Sequence, residues 1–142
     1  MASAFPDPSA SFGARVARRL RDELVIWLTT IGADGTPQPN PVWFLVEDDT
    51  VLVYNRDDAL RLKHIRRNPR VALNLDTDGE GEDVIVLTGT AEILDGYPLA
   101  TEIKAYMDKY DAAARQISGD PDAFAAEYHV ALRVRIDRVR GF

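Results

Sequence analysis

The sequence predicts a mainly β domain in which six antiparallel strands close into a small barrel, with helices packed outside it. Short segments rich in β-branched and aromatic residues recur along the chain, as is typical of strands. Most of them are joined by short turn sequences rather than by the crossover helices that parallel strands need. The length of 142 residues and the hydrophobic content of 46% fit one globular domain. A closed antiparallel barrel accommodates all three observations.

An amphipathic helix at residues 10–24 opens the domain, because its apolar residues recur every four positions and share one helical face. The residues on that face are Phe12, Val16, Leu20 and Leu24. The β-branched and aromatic run at residues 25–31 predicts the first strand. Asp34 and Gly35 follow this strand and predict a tight hairpin turn.

Three prolines distinguish the second predicted strand, residues 39–47. Pro37, Pro39 and Pro41 each lack the N–H group that a β-ladder uses. The start of this strand must therefore lie at a sheet edge, or face something other than a neighbouring strand. A ligand is one candidate for that side.

A basic helix is predicted directly after the third strand. Residues 51–55 predict the strand, and residues 58–68 predict a short helix that a proline ends. Six basic and two acidic side chains give the segment 56–70 a net charge of +4, although the whole chain carries −6. A strand-to-helix turn collects backbone N–H groups, so Arg61 and Lys63 would form a site for phosphate or carboxylate there. A solvated basic face is the alternative interpretation.

The rest of the chain completes one domain, residues 10–142, behind a flexible N-terminus at residues 1–9. The remaining elements are a strand at 70–76, a loop at 77–82, a strand at 83–94, helices at 98–115 and 121–128, and a last strand at 128–139. Gly89 interrupts the strand at 83–94, where it indicates a bulge or bend.

Composition excludes several classes of function. The chain has no cysteine and only two histidines, which argues against thiolate chemistry and metal sites. The net charge of −6 argues against a nucleic-acid binder that relies on phosphate neutralisation. No segment approaches 18 uninterrupted apolar residues, so we expect a soluble, cytoplasmic protein rather than a membrane protein. Nucleophile-elbow, Walker and dinucleotide-binding motifs do not occur in the sequence.

Three segments carry a resemblance to a known family. They are DGTPQPNPVWF (34–44), VYNRDDALRLKHIRRNPRVALNLD (53–76) and VIVLTGTAEIL (84–94). In this order they resemble the flavin-reductase-like split β-barrel superfamily of pyridoxamine 5′-phosphate oxidase, over most of residues 12–142. Within it the sequence looks closest to small actinobacterial proteins that use the deazaflavin coenzyme F420. The fold that the resemblance implies is a six-stranded antiparallel split β-barrel.

The resemblance also implies an activity, a cofactor and a partner. The expected protein is a homodimeric F420-dependent oxidoreductase, with its cofactor sites at the subunit interface and a small organic molecule as hydride acceptor. The residues that would bind the cofactor are Asn40, Pro41, Val42, Trp43, Tyr54, Asn55, Arg56, Arg61, Leu62 and Lys63. The first four would border the ring, whereas Arg61 and Lys63 would hold the phosphate. No side chain is implied as a covalent catalyst.

Departures from the oxidase argue against oxidation of pyridoxamine phosphate. A glutamine of the oxidase's long fifth strand is replaced here by Val84. Its C-terminal tryptophan and substrate-binding arginine have no clear match in residues 133–142. Two alternatives stay open: an FMN-dependent oxidoreductase of the same fold, and a non-catalytic protein that binds F420, a flavin or haem.

Overall fold

Seven strands and four helices form the part of the chain that the structure, a computed structural model, describes, namely residues 3–142. The strands are β1 (Ile26–Ile31), β2 (Pro37–Val42), β3 (Leu45–Glu47), β4 (Thr50–Asn55), β5 (Arg70–Asn74), β6 (Ile85–Leu94) and β7 (Val130–Gly141). The helices are α1 (Ser11–Asp22), α2 (Leu60–Arg67), α3 (Lys104–Ser118) and α4 (Pro121–Glu127), and a 3-10 turn covers Ala100–Glu102. No described helix has both the length and the apolar content needed to cross a membrane.

The strands form one curled antiparallel sheet in the order β2-β1-β5-β6-β7-β4-β3, which confirms the predicted mainly β fold of the split-barrel type. The side chains on its inner face form the main core, which includes Leu28, Phe44, Leu73 and Leu132. A second core lies outside the sheet, where α3 and α4 cover β4 with aromatic side chains. The sheet thus has one enclosed face and one face that helices cover in part.

The strand count corrects the sequence-based prediction from six to seven, because the second predicted strand is two strands. It breaks at Trp43 and Phe44, and side chains of α3 bind the backbone of Phe44 in place of a neighbouring strand. The Phe44 N–H donates to the Tyr110 hydroxyl over 2.8 Å, and this hydroxyl also lies 3.0 Å from the Phe44 carbonyl. Lys109 donates to the same carbonyl over 3.1 Å. This staple, formed by Tyr110 and Lys109, lets the chain turn from β2 into β3.

Other boundaries also differ from the sequence-based prediction. Leu24 lies beyond the end of α1 and is 49% exposed, because the helix stops before its fourth apolar position. The helix predicted at 98–115 begins later, at Lys104, and a separate 3-10 turn precedes it. In that turn the Leu99 N–H donates to the Glu102 carboxylate. The bulge expected at Gly89 is confirmed by a shift of register between β6 and β7.

The N-terminal segment runs along the barrel rather than away from it. Ala4 and Phe5 pack against the main core, and the Asp7 carbonyl passes so close to Gly13 that a Cβ atom there would lie 1.9 Å from its oxygen. The flexibility expected for residues 1–9 stays a prediction, and Met1 and Ala2 lie outside the described residues.

Replacing Tyr110 by phenylalanine is expected to lower the free energy of unfolding by about 1–3 kcal/mol, because the buried Phe44 N–H loses its acceptor. Chemical denaturation of the two proteins measures the difference. Tyr106→Phe is the matched control, since it removes a phenol one turn earlier on α3 that is not part of the staple. Equal stabilities of wild type and Tyr110→Phe would contradict the role given to the staple.

Candidate functional site

The turn between β4 and α2 is organised by Asn55, which is fully buried. Its amide nitrogen donates to the carbonyls of Val53 and Val130 over 3.1 and 3.0 Å. Its amide oxygen accepts a hydrogen bond of 2.6 Å from Nε of Arg61. Both ends of the amide are therefore used to fix the position of one arginine at the start of α2.

Arg61 is a partly buried cation without a carboxylate partner among the described residues. Burial lowers the pKa of its guanidinium, and the nearby Tyr128 hydroxyl opposes this shift. The described residues offer its two terminal amino groups no hydrogen-bond partner. A desolvated guanidinium with free donors is a site for an anion, because an oxyanion supplies both the missing charge and the missing acceptors.

The other basic residues of this segment are placed differently. Arg56 is exposed and forms ion pairs with Asp58, at 3.3 Å, and Glu127, at 2.7 Å. Lys63 is exposed on α2, whereas Leu62 is buried beneath the helix. Exposed pairs of this kind contribute little to stability, so Arg56 can exchange partners at small cost.

His64 fixes α2 to the barrel rather than facing a ligand. It is buried, and its Nδ1 atom lies 2.9 Å from the hydroxyl of Thr30 on β1. This contact connects the helix that carries Arg61 to the strand that pairs with β2. The structure thus gives His64 a packing role.

Tyr54 contributes its hydroxyl to the fold. The phenol donates to the Pro98 carbonyl over 2.5 Å, and its ring meets Tyr106 edge-on with centroids 5.1 Å apart. Burial raises the pKa of Tyr54 far above the ordinary value of a phenol. Its neighbour Asn55 therefore carries the polar chemistry of this end of β4.

The β2 edge confirms the expectation that the prolines raise. β2 is the outermost strand beside β1, and residues 37–41 are exposed. The Gly32 N–H donates to the Thr36 carbonyl, and with the register of the two strands this turns the backbone of all three prolines away from β1. The free edge consequently presents carbonyl acceptors at Pro37, Pro39 and Pro41 with no N–H between them.

The four residues expected to border a ring lie in different environments. Asn40 and Pro41 are exposed on β2, Val42 is buried in the main core, and Trp43 stacks on Tyr110 with centroids 4.9 Å apart. β2 and β4 are separated in the strand order by four other strands. No hydrogen bond or strand pairing among the described residues joins this group to Asn55 or Arg61.

A large cleft among the described residues lies elsewhere. It has a volume of about 1420 Å³ and runs between the N-terminal segment, α1, the β3–β4 turn and α3. Phe5, Leu20 and Val46 line it, and Lys109, whose pKa burial lowers to about 8, forms part of its wall. None of the residues predicted to bind a cofactor lines this cleft.

Sequence reasoning missed Tyr128, whose chain neighbours Glu127 and His129 approach Arg56 and Asp57 of this turn. It lies between the end of α4 and the start of β7, where neither helical nor strand periodicity indicates which way a side chain faces. Its ring stacks on Phe124 with centroids 4.8 Å apart. Only the folded chain brings this tyrosine to the β4–α2 turn.

Comparisons with known proteins give a family and a fold. The family model described as pyridoxamine 5′-phosphate oxidase matches residues 12–142. An F420 reductase of known structure is 24% identical, covers 87% of this chain and 94% of its own, and superposes with a TM-score of 0.68. No curated protein matches the chain significantly.

Two further solved structures show the same fold. A putative pyridoxamine 5′-phosphate oxidase from Listeria innocua is 16% identical, with coverage of 89% of this chain and 94% of its own and a TM-score of 0.64. HutZ, the haem storage protein from Vibrio cholerae, is 12% identical, with coverage of 89% and 92% and a TM-score of 0.61. At these identities the similarities establish architecture alone.

Proposed function

Since its residues 12–142 match the family model, the chain belongs to the pyridoxamine 5′-phosphate oxidase family, and we propose that it is an F420-dependent oxidoreductase. The observation that carries the proposal is Arg61, a partly buried guanidinium that Asn55 positions and that lacks a counter-ion in the described chain. Such a group fits the phosphate that F420 and FMN share.

The two halves of the site fit the two ends of such a cofactor. Arg61 and the exposed Lys63 would hold the phosphate. The carbonyls at the free edge of β2 would accept hydrogen bonds from the ring, beside Asn40 and Pro41. When bound, the deazaflavin ring supplies the hydride transfer to a small organic acceptor, and the chain contributes orientation, anion binding and exclusion of water.

A second copy of the chain would complete the site. The family is commonly dimeric. In one chain, the strand that would border the ring and the turn that would bind the phosphate lie far apart in the sheet order. The outward side chains of Trp27, Ala72 and Val86 stay partly exposed and offer a face for the second copy. Sedimentation should show a species of twice the 15.8 kDa chain mass, whereas a monomer that binds cofactor would contradict the shared site.

The similarity to an F420 reductase supports F420 over FMN, and FMN-dependent oxidoreduction is the second candidate. A non-catalytic carrier, haem-binding proteins included, is the third, because HutZ has the same fold. His64 argues against haem ligation at its position, because it is buried beneath α2 and its Nδ1 atom is engaged by Thr30. A cytoplasmic location belongs to the same proposal.

Fluorescence titration of the purified protein with F420 and with FMN, in the same salt, tests the proposal. We expect micromolar or tighter binding of F420 and weaker binding of FMN, followed by turnover in a screen of unsaturated acceptors. The reverse preference would identify the flavin enzyme instead. Binding of F420 without any turnover would favour the carrier, and binding of neither would contradict the proposed function.

A further inference from the structure

The cleft between the N-terminal segment, α1, the β3–β4 turn and α3 has the size and the wall of a binding site for a small molecule. Its volume of about 1420 Å³ exceeds the roughly 300–1,000 Å³ that such sites usually have. The apolar side chains that line it are Phe5, Val16, Leu20, Leu45, Val46 and Ile136. A ligand with an apolar body would fit this wall, because burying that body removes apolar surface from water.

Lys109 supplies a cation in the wall of the cleft whose donors are not all used. Its ammonium donates to the carbonyls of Leu20 and Phe44 over 3.2 and 3.1 Å, and it lies 3.8 Å from the centre of the Phe44 ring. An ammonium group has three N–H donors, so the described contacts leave one of them without an acceptor. Burial lowers the pKa of Lys109 to about 8, because the charged group is partly removed from water.

The carboxylates around Lys109 have other partners. Asp22 and Glu23 act on its charge from a distance, and Asp108 precedes it on α3. Their ion pairs are Asp22–Arg21 (2.8 Å), Glu23–Arg19 and Asp108–Lys104 (2.8 Å). Among residues 3–142, no ion pair includes Lys109. An incoming carboxylate would thus supply both a direct counter-ion and the missing acceptor.

We propose that this cleft is a second binding site, which takes an amphipathic carboxylate: an alkyl body against the apolar wall and a carboxylate that accepts a hydrogen bond from the Lys109 ammonium. The charges along the cleft fix the orientation of the ligand. Asp48 and Asp49 of the β3–β4 turn also line it and repel an anion, so the carboxylate belongs at the Lys109 end. None of the residues assigned to the cofactor lines this cleft, so the site is independent of the proposed function.

NMR titration of the full chain with decanoate tests the proposal, with decan-1-ol as the uncharged ligand of equal chain length. The methyl signals of Val16 and Leu20 report on the cleft, and a pH of about 7 keeps the ammonium mostly protonated. We expect decanoate to shift these signals and to bind roughly tenfold more tightly than decan-1-ol, because it forms a hydrogen bond between charged groups. Equal affinities of the two ligands, or no shift of these signals, would refute the inference.

Lys109→Met keeps most of the length of the side chain and removes its charge. It should weaken decanoate binding roughly tenfold and leave decan-1-ol binding unchanged. Lys104→Met is the matched control, because Lys104 is an exposed lysine of the same helix that does not line the cleft. Its decanoate affinity should equal that of the wild type. The same loss in both variants would show a general effect of charge and contradict the role given to Lys109.

A steric variant tests the location without disturbing Lys109. Ala17 is an exposed residue of α1 that lines the cleft, so Ala17→Trp should fill it and abolish binding of both ligands. Ala14→Trp, at an exposed position of α1 outside the cleft, should bind both like the wild type. Saturating F420 or FMN should leave decanoate binding unchanged. Wild-type binding by Ala17→Trp, or competition between decanoate and either cofactor, would place the ligand elsewhere and overturn the inference.

Discussion

The protein is expected to unfold in alkaline solution, with a loss of about 4 kcal/mol of unfolding free energy for each pH unit once its unfolded tyrosines are ionised. Burial raises the pKa of Tyr54, Tyr106 and Tyr110 in the folded chain. A phenol with a raised pKa keeps its proton in the folded state and loses it in the unfolded state above about pH 10. The stability it contributes is therefore complete below pH 10 and declines as the pH rises.

Denaturation at a series of pH values measures this slope, and absorbance at 295 nm follows tyrosinate formation. Burial lowers the pKa of Lys109 to about 8, which acts in the opposite direction between about pH 8 and 10.5. The loss should thus appear above that window. Tyr106→Phe should reduce the slope by about a third. Tyrosinate absorbance from these three residues in a chain that is still folded at pH 11 would contradict the prediction.

Replacing Arg61 by alanine should weaken binding of the phosphate-bearing cofactor by about 1.5–3 kcal/mol, or roughly 10- to 150-fold. The loss arises because a partly desolvated charge no longer meets the phosphate. Riboflavin, which has the ring of FMN without its phosphate, should bind wild type and variant equally well. Titration of both ligands separates loss of the phosphate contact from general damage to the site.

Arg67→Ala is the control on the same helix, since Arg67 is exposed and remote from Asn55 in the described contacts. Removing Arg61 also leaves the buried Asn55 oxygen without its donor, so thermal unfolding must show that Arg61→Ala is folded. A folded Arg61→Ala protein with wild-type affinity for FMN and F420 would exclude this arginine as the phosphate ligand.

Local sequence patterns predict the strands of this fold well, because each pattern depends only on residues that are consecutive in the chain. The period of two in β7 and the turn residues at Asp34 and Gly35 need no long-range information. The break between β2 and β3 could not be predicted in this way, since Tyr110, some 66 residues further along the chain, satisfies the Phe44 backbone. Before folding, Trp43 and Phe44 look like the centre of one continuous strand.

The residues of the candidate site differ in the same way in how well the sequence predicts them. The basic helix directly after a strand, together with the family resemblance, predicts Arg61 as an anion-binding residue. The buried amide of Asn55 that positions it depends on pairing between β4 and β7. Asn55 and Val130, 75 positions apart in the sequence, meet there, and no periodicity of the sequence encodes that contact.

The three prolines of β2 also bear on how this protein behaves at high concentration. An edge strand normally offers alternating donors and acceptors, on which an extended segment of another molecule can assemble. With prolines at each outward-facing position, an incoming strand would find carbonyl groups alone and could form only half of its ladder. The same residues that leave room for a ligand thus protect the sheet against edge-to-edge aggregation, and substituting them would remove that protection.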